Sequence, residues 1–388
     1  MIYLAGIYTV LTSILWTFMY RFILKQLRSA PKIGEVDASE PDSYPSLSIL
    51  VTACNEEDSI EYALTSLLKQ DYPEKEIIIV NDRSTDQTGA IIERLTNSYP
   101  ELKCVHIDHL PENWLGKTHA LKKGYEQATG EWVLFTDADV WYRQGALKRI
   151  MAVAIHEGLD HISCFPQVKN NGFWHEVAFS GWFNLAVGFQ NLQGVQDTES
   201  NDYFALGAFN MVRRQVFDRT EGFSWLRMEI ADDMGVARLM RDQKARQGFF
   251  LATSELKLEW FGSLKRMIAG LEKNSIAVVA HYSYLRGYLL PFIWAIFFFG
   301  PIAGLFMPWI AVKIISVVFF ALYIPLNIAI AKRLNRPILP YLLSHIGKFF
   351  PMYSLFRSTH ACARRRGVLW RGTLYPVQTL RKYQRVRF

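Results

Sequence analysis

The sequence predicts an α/β domain built on a mostly parallel sheet and tethered to a membrane by apolar helices. Three observations lead there. Between residues 46 and 260, short runs rich in Ile, Val and Leu alternate with segments of helical spacing, the pattern of strands buried on both faces. Three further stretches are long, apolar and flanked by Lys or Arg. The 388 residues are 50% hydrophobic and 14% aromatic but only 20% charged. That composition excludes a disordered chain, a coiled coil and a disulfide scaffold.

The strands fall at 47–53 (LSILVTA), 76–80 (EIIIV), 102–107 and 132–136 (WVLFT), and helical spacing covers 58–69, 86–95 and 116–128. In such sheets ligands collect at the carboxyl ends of the strands. Three of these strands end in polar clusters: Thr52 to Glu57, Asn81 to Asp86, and Asp137 to Asp139. Asp86 alone would serve as a helix cap. Asp137 and Asp139 stand two residues apart at the end of the most apolar strand. There they can reach one hard divalent cation, Mg²⁺ or Mn²⁺, which would neutralise a leaving diphosphate. A solvated turn would look the same in sequence.

Residues 3–24 are almost continuously apolar, broken only by Arg21, and Lys25, Arg28 and Lys32 follow them. A cleaved leader has its charges first, so residues 1–30 are read as a membrane anchor. The apolar block 285–332 is too long for one span at roughly 20 residues per crossing. Pro308 and Lys313 mark the break between spans at 288–309 and 312–331, and Lys332, Arg333 and Arg336 close the second. Residues 338–356 carry His345, Lys348 and two prolines and are read as interfacial or re-entrant. Two more segments are read as lying at the membrane surface: 173–195, which would serve equally as a buried core helix, and an amphipathic helix at 264–281 within the unit 263–284.

The net charge of +7 is local, because residues 357–388 hold nine Lys or Arg and no acid, leaving −2 for the rest (7 − 9). A basic tail beside membrane spans points to an anionic bilayer surface and not to nucleic acid. Three crossings put the unit 31–262 and the unit 333–388, an interfacial segment with a basic tail, on the cytoplasmic side of an inner (plasma) membrane. Cys54, Cys104, Cys164 and Cys362 form no CxxC pair, which fits a reducing compartment.

LSILVTACNEE, IIIVNDRSTDQT, NWLGKTHAL and GEWVLFTDADV occur in that order, followed by ALGAFNMVRRQVF, EGFSW and IADDMGVARLM. As a set they resemble the family 2 glycosyltransferases with the GT-A fold, a Rossmann-like mixed sheet. The NWLGK form, the apolar flanks and RRGVLWRGTLYP are similar to the bacterial membrane branch that glycosylates lipids, whose members act on carotenoids, hopanoids and ceramide.

The resemblance implies a donor site for a nucleotide sugar, a UDP-sugar, and a membrane lipid acceptor. Ala53, Asn55 and Glu56 would hold the nucleoside, Asp82 the uracil, and Asp86 the loop between them. Lys117 would meet the diphosphate, although a lysine at a helix start serves equally as a surface residue. Asp137 would sit near ribose and metal, and Asp139 would be the direct metal ligand. In the Asp232-Asp233 pair, whose first member departs from the family's usual Glu, Asp233 would be the base and Asp232 its support. Both would equally favour a helix N-terminus. Gly207 and Ala208, read as part of a strand 207–210, would wall the acceptor side.

The QxxRW motif of processive polysaccharide synthases is absent. Its nearest equivalent, Trp370-Arg371-Gly372-Thr373, would return Arg371 to the diphosphate or leave it facing lipid. The expectation is therefore an inverting, metal-dependent transfer of one sugar to a lipid. The rivals are a polysaccharide synthase, separable by product length, and a membrane-anchored nucleotide-binding scaffold, which would not need Asp82, Asp139 and Asp233 together.

Overall fold

The computed structural model describes residues 2–387. Helix α1 (Ile2–Ser29) leads into β1 (Leu47–Ala53), α2 (Ile60–Leu68), β2 (Lys75–Asp82), α3 (Thr88–Ser98) and β3 (Leu102–Ile107). Next come α4 (Gly116–Tyr125), β4 (Trp132–Asp137), β5 (Val140–Tyr142), α5 (Ala146–His156) and β6 (His161–Val168). Helices α6 (Phe173–Gly188) and α7 (Leu192–Val195) precede β7 (Asn210–Arg213), α8 (Arg214–Phe217), α9 (Gly222–Trp225), α10 (Asp232–Asp242) and β8 (Gln247–Leu258). The rest is α11 (Leu264–Asn274), α12 (Tyr284–Phe306), α13 (Ile310–Arg333), α14 (Ile338–Leu342), α15 (Ser344–Gly347), α16 (Phe349–Arg365), the hairpin β9 (Gly367–Trp370)–β10 (Thr373–Pro376), and α17 (Val377–Tyr383).

Eight strands form one sheet in the order β3-β2-β1-β4-β7-β6-β8-β5. The four strands expected from the apolar runs are parallel. β7 and β5 pair antiparallel, so the whole sheet is mixed. All seven residues of β1 are buried, as a strand covered on both faces must be. The chain steps outward from β1 to β2 and β3, then returns to place β4 on the other side of β1. The loops after β1 and β4 therefore meet at the point where the strand order reverses, the crevice where open α/β sheets bind ligands.

α1, α12 and α13 are each long and apolar enough to cross a membrane, and they pack against one another. The break between the last two falls at 307–309 and includes Pro308; Lys313, expected at the break, lies one turn inside α13. The stretch 338–356 is no single helix. It breaks into α14, α15 and the start of α16, and folds back on α6, α12 and α13. Its Lys348 is fully buried, donates to the Tyr20 hydroxyl, and lies 4.5 Å from the centre of the Trp16 ring. The amphipathic segment expected at 264–281 is helical to Asn274 and then widens into a π-helical turn over Ser275–Val279.

One expectation is corrected. Gly207 and Ala208 lie in a turn and not in a strand; β7 begins at Asn210. The basic tail folds over the sheet's carboxyl edge, with Val368, Tyr375, Val377 and Leu380 buried. Its last described residues are tied down as well, since the backbone N–H groups of Arg385 and Val386 both donate to Glu229 Oε2.

Candidate active site

The loops after β1 and β2 are laced together by side chains. Asn55, at φ 57°, accepts from Thr85 N, and its own N–H donates to Ser84 Oγ. Asp86 caps α3 by accepting from Thr88 N and also accepts from Glu57 N, which makes it a support for the neighbouring loop. Ala53 and Cys54 are buried beneath. Asp82 is buried and paired with Arg83, whose Nε lies 2.8 Å from Oδ1. Gly116 faces it across the cleft, where a Cβ would collide with the Asp82 carboxylate. The Tyr375 hydroxyl accepts from Gly116 N, which brings the C-terminal hairpin onto this wall.

That hairpin delivers Arg371. Trp370 pairs with Thr373, leaving a two-residue turn of Arg371 and Gly372, both at positive φ (48° and 78°). Positive φ at both positions is what a tight hairpin demands, and an arginine accepts it at a cost. Arg371 Nη2 lies 2.7 Å from Glu56 Oε1, so the residue faces the site and not lipid. Burial and the Asp137 charge raise the Glu56 pKa, against the Arg371 charge.

Lys117 is the centre of the site. Its Nζ is 2.8 Å from Asp137 Oδ1 and 3.2 Å from Asp232 Oδ2. Burial opposes the ammonium, but the charges of Asp137, Asp232 and Asp233 overcome it and raise its pKa. Asp137 is likewise opposed by burial and carried below the usual carboxylate range by Lys117. Asp233 accepts from Gly207 N (3.0 Å) and from Met234 N (2.8 Å), and burial and Asp232 push it up to about 6. Thr136 holds the 207–208 turn by donating to Ala208 O, and a Cβ on Gly207 would stand 2.8 Å from Asp137. The free space between Lys117, Asp137, Gly207 and the Asp232-Asp233 pair is about 10 Å³, room for about one water.

Asp139 lies in the turn between β4 and β5. Burial and the Asp137 and Glu56 charges push it up to about 8, a repulsion that a divalent cation would relieve. Among the described residues no three His, Cys, Asp or Glu side chains enclose a metal ion. Two carboxylates completed by phosphate oxygens and water suit Mg²⁺ or Mn²⁺, so the donor set fits the expected metal.

Sequence reasoning missed Lys273. It projects from α11 over Trp370, 3.6 Å from the ring centre, among Lys117, Arg371, Asp137 and Asp232. Burial and Lys117 lower its pKa to about 7. Its signal was a basic residue in an amphipathic helix, which reads as a membrane contact. Arg83, next to Asp82 in the second cluster, was passed over, and Tyr375 was missed because only the fold brings it to the cleft.

A curled mixed sheet with acidic clusters along its carboxyl edge defines the GT-A class of glycosyltransferase folds. Residues 48–235 match the family model Glycosyl transferase family 2. The 4,4'-diaponeurosporenoate glycosyltransferase of Staphylococcus aureus strain bovine RF122 / ET3-1 is 29% identical over 201 residues, covering 47% of this chain and 50% of that protein. The protein of the same name from strain USA300 is 27% identical over 233 residues, covering 58% and 60%. The chain thus spans about half to three fifths of the curated relatives it matches. Among solved structures, the mannosyltransferase PcManGT from Pyrobaculum calidifontis, in complex with GDP-Man and Mn²⁺, superposes with a TM-score of 0.56 at 17% identity, over 90% of this chain and 99% of that one. That likeness is one of fold.

Proposed function

We propose that this protein is an inverting glycosyltransferase that moves a single sugar from a nucleotide donor, a UDP-sugar, to a membrane lipid. The observation that carries the reading is the Lys117 ion cluster. It joins Asp137, on the nucleotide side of the sheet, to the Asp232-Asp233 pair on the acceptor side. Two supports are the relatives named for a carotenoid acid acceptor and the three membrane-length helices beside the domain.

In this reading Asp82 binds the base, with Asn55 and Glu56 shaping the nucleoside pocket. Lys117, Arg371 and Lys273 meet the diphosphate. Asp139, with Asp137, would hold Mg²⁺ or Mn²⁺, which supplies charge neutralisation at the leaving diphosphate. The acceptor oxygen forms a bond to the anomeric carbon as the bond from that carbon to the diphosphate oxygen breaks. The acceptor proton passes to Asp233, and a single displacement inverts the centre. Asp232 holds Lys117 in place.

The domain and tail lie on the cytoplasmic face of a multi-pass inner-membrane protein. Lipid extracts of cells with the gene, deleted for it, or carrying Asp233→Asn test the activity by mass spectrometry. A lipid heavier by one hexose should appear only with the intact gene. A polymer product, or identical extracts, would overturn the reading.

A further inference from the structure

Helix α16 carries an exposed stripe that changes character along its length. Phe349, Tyr353 and Phe356 are exposed at its start, and His360 and Arg364 continue the same face. The spacing of four, three, four and four residues keeps all five on one side. The helix runs antiparallel to α12: Phe356 meets Phe292 at 6.3 Å and Tyr288 at 5.5 Å, while Thr359 lies against Gly287. The aromatic half of the stripe thus lies alongside the interior of α12. The basic half lies at the helix's start, where a membrane-spanning α12 would leave the bilayer. Leu285, Leu289 and Phe292 continue the apolar wall outward, with Phe292 61% exposed.

Along α16 runs an open trough of about 560 Å³, lined by Tyr353, Phe356, Arg357, His360, Arg364 and Arg365 of that helix, with Phe292 of α12 meeting it at Phe356. Its charge is not internally cancelled. Glu272 of α11 pairs with Arg357 (3.2 Å) and Arg365 (2.9 Å), and among the described residues Arg364 has no acidic partner within 4 Å. One carboxylate therefore faces three guanidinium groups, an excess of two positive charges (3 − 1), with the His360 imidazole beside them. The trough lies beyond α11 from the nucleotide cleft, and none of its lining residues lines the space around Lys117.

We propose that this trough binds one anionic phospholipid of the bilayer. Its phosphate is held by Arg364, Arg357 and His360, and one acyl chain lies along Tyr353, Phe356 and Phe292. The apolar-to-basic gradient matches the order of acyl chain and headgroup along the bilayer normal. A soluble anion would use only the basic half, and an uncharged lipid only the aromatic half. The guanidinium fork is suited to phosphate oxygens.

The test is native mass spectrometry of the full chain released from detergent with phosphatidylglycerol or phosphatidylcholine of the same chain length. The parent should retain one phosphatidylglycerol in preference to phosphatidylcholine. Arg364→Gln combined with His360→Gln should cut that preference about five- to tenfold. Both positions are exposed, so the melting temperature should not move. Arg381→Gln combined with Lys382→Gln, basic but outside the trough, is the control and should keep the preference. Equal retention of the two lipids by the parent would overturn the proposal. So would an equal loss in the control, or displacement of phosphatidylglycerol by inorganic phosphate alone. Should the trough variant misfold, protection of His360 from acylating reagent by phosphatidylglycerol vesicles, but not by phosphatidylcholine vesicles, decides the same question.

Discussion

If Asp233 takes the acceptor's proton, its titration should be visible in the rate. Its carboxyl is pushed from 3.8 to about 6, first by burial and then by Asp232, while Lys117 and the Met234 N–H hold it down. A base works only when ionised. At pH 7 about nine tenths of the enzyme would carry the ionised group, and at pH 5 about one tenth, so the rate should fall about tenfold per unit below 6. The neighbours supply opposed controls. Asp232→Asn removes a charge that raises the pKa, so the acid limb should move to lower pH. Lys117→Met removes one that lowers it, so the limb should move to higher pH. Asp233→Asn should abolish the limb and lower the rate roughly 10²- to 10⁴-fold. The asparagine keeps one acceptor oxygen for two N–H donors, those of Gly207 and Met234. A stability loss of about 1 kcal/mol is therefore expected, with UDP affinity nearly unchanged. The assay is hexose transfer from a labelled UDP-sugar to a lipid extract, measured from pH 4.5 to 8 in reconstituted vesicles (a range of roughly two units either side of the expected midpoint). If Asp232→Asn is dead and Asp233→Asn active, the base is the other carboxylate. If both remain active, the pair is a helix cap and the catalytic assignment fails.

Three further outcomes follow from the same geometry. Asp139→Asn should leave the metal-free protein at least as stable, because a carboxyl crowded by Asp137 and Glu56 is gone; calorimetry should show that Mn²⁺ no longer tightens UDP binding, and unchanged metal dependence would refute the ligand assignment. Arg371→Met should weaken UDP binding about tenfold or more, the worth of a charged hydrogen bond, with little change in melting; unchanged affinity would return the hairpin to a structural role. Arg336 and Glu176 form an ion pair in which both side chains are 2% exposed or less. Arg336→Leu should therefore cost about 3–5 kcal/mol and Arg336→Leu with Glu176→Leu much less; equal losses by thermal melting would show that the charge left behind is not what matters.

The first half of the domain was legible because its chemistry is local. β1, β2 and β4 are apolar runs, each followed at once by its polar residues, so Asn55, Asp82, Asp137 and Asp139 could be placed on one edge before any contact was known. The membrane-length helices were legible for the same reason, since length and apolarity are properties of a single segment. The turn at Gly207 and Ala208 was misread as strand, because Phe209 and Met211 extend the apolar run beyond the residues that pair. What the sequence hides is closure. Lys273 lies in a helix whose amphipathic pattern is explained equally well by a bilayer, and only the approach of Trp370, almost a hundred residues on, turns that lysine inward. Arg371 sits in a basic tail where charge alone suggests lipid; a two-residue turn at positive φ aims it at Glu56 instead. Both cations reach the cleft from segments beyond the matched domain, on either side of the two C-terminal membrane-length helices. The Lys117 and Arg371 end of the cleft is therefore completed by segments flanking the two C-terminal membrane-length helices, and the α/β domain cut at residue 262 would lack Lys273, Trp370, Arg371 and Tyr375 together.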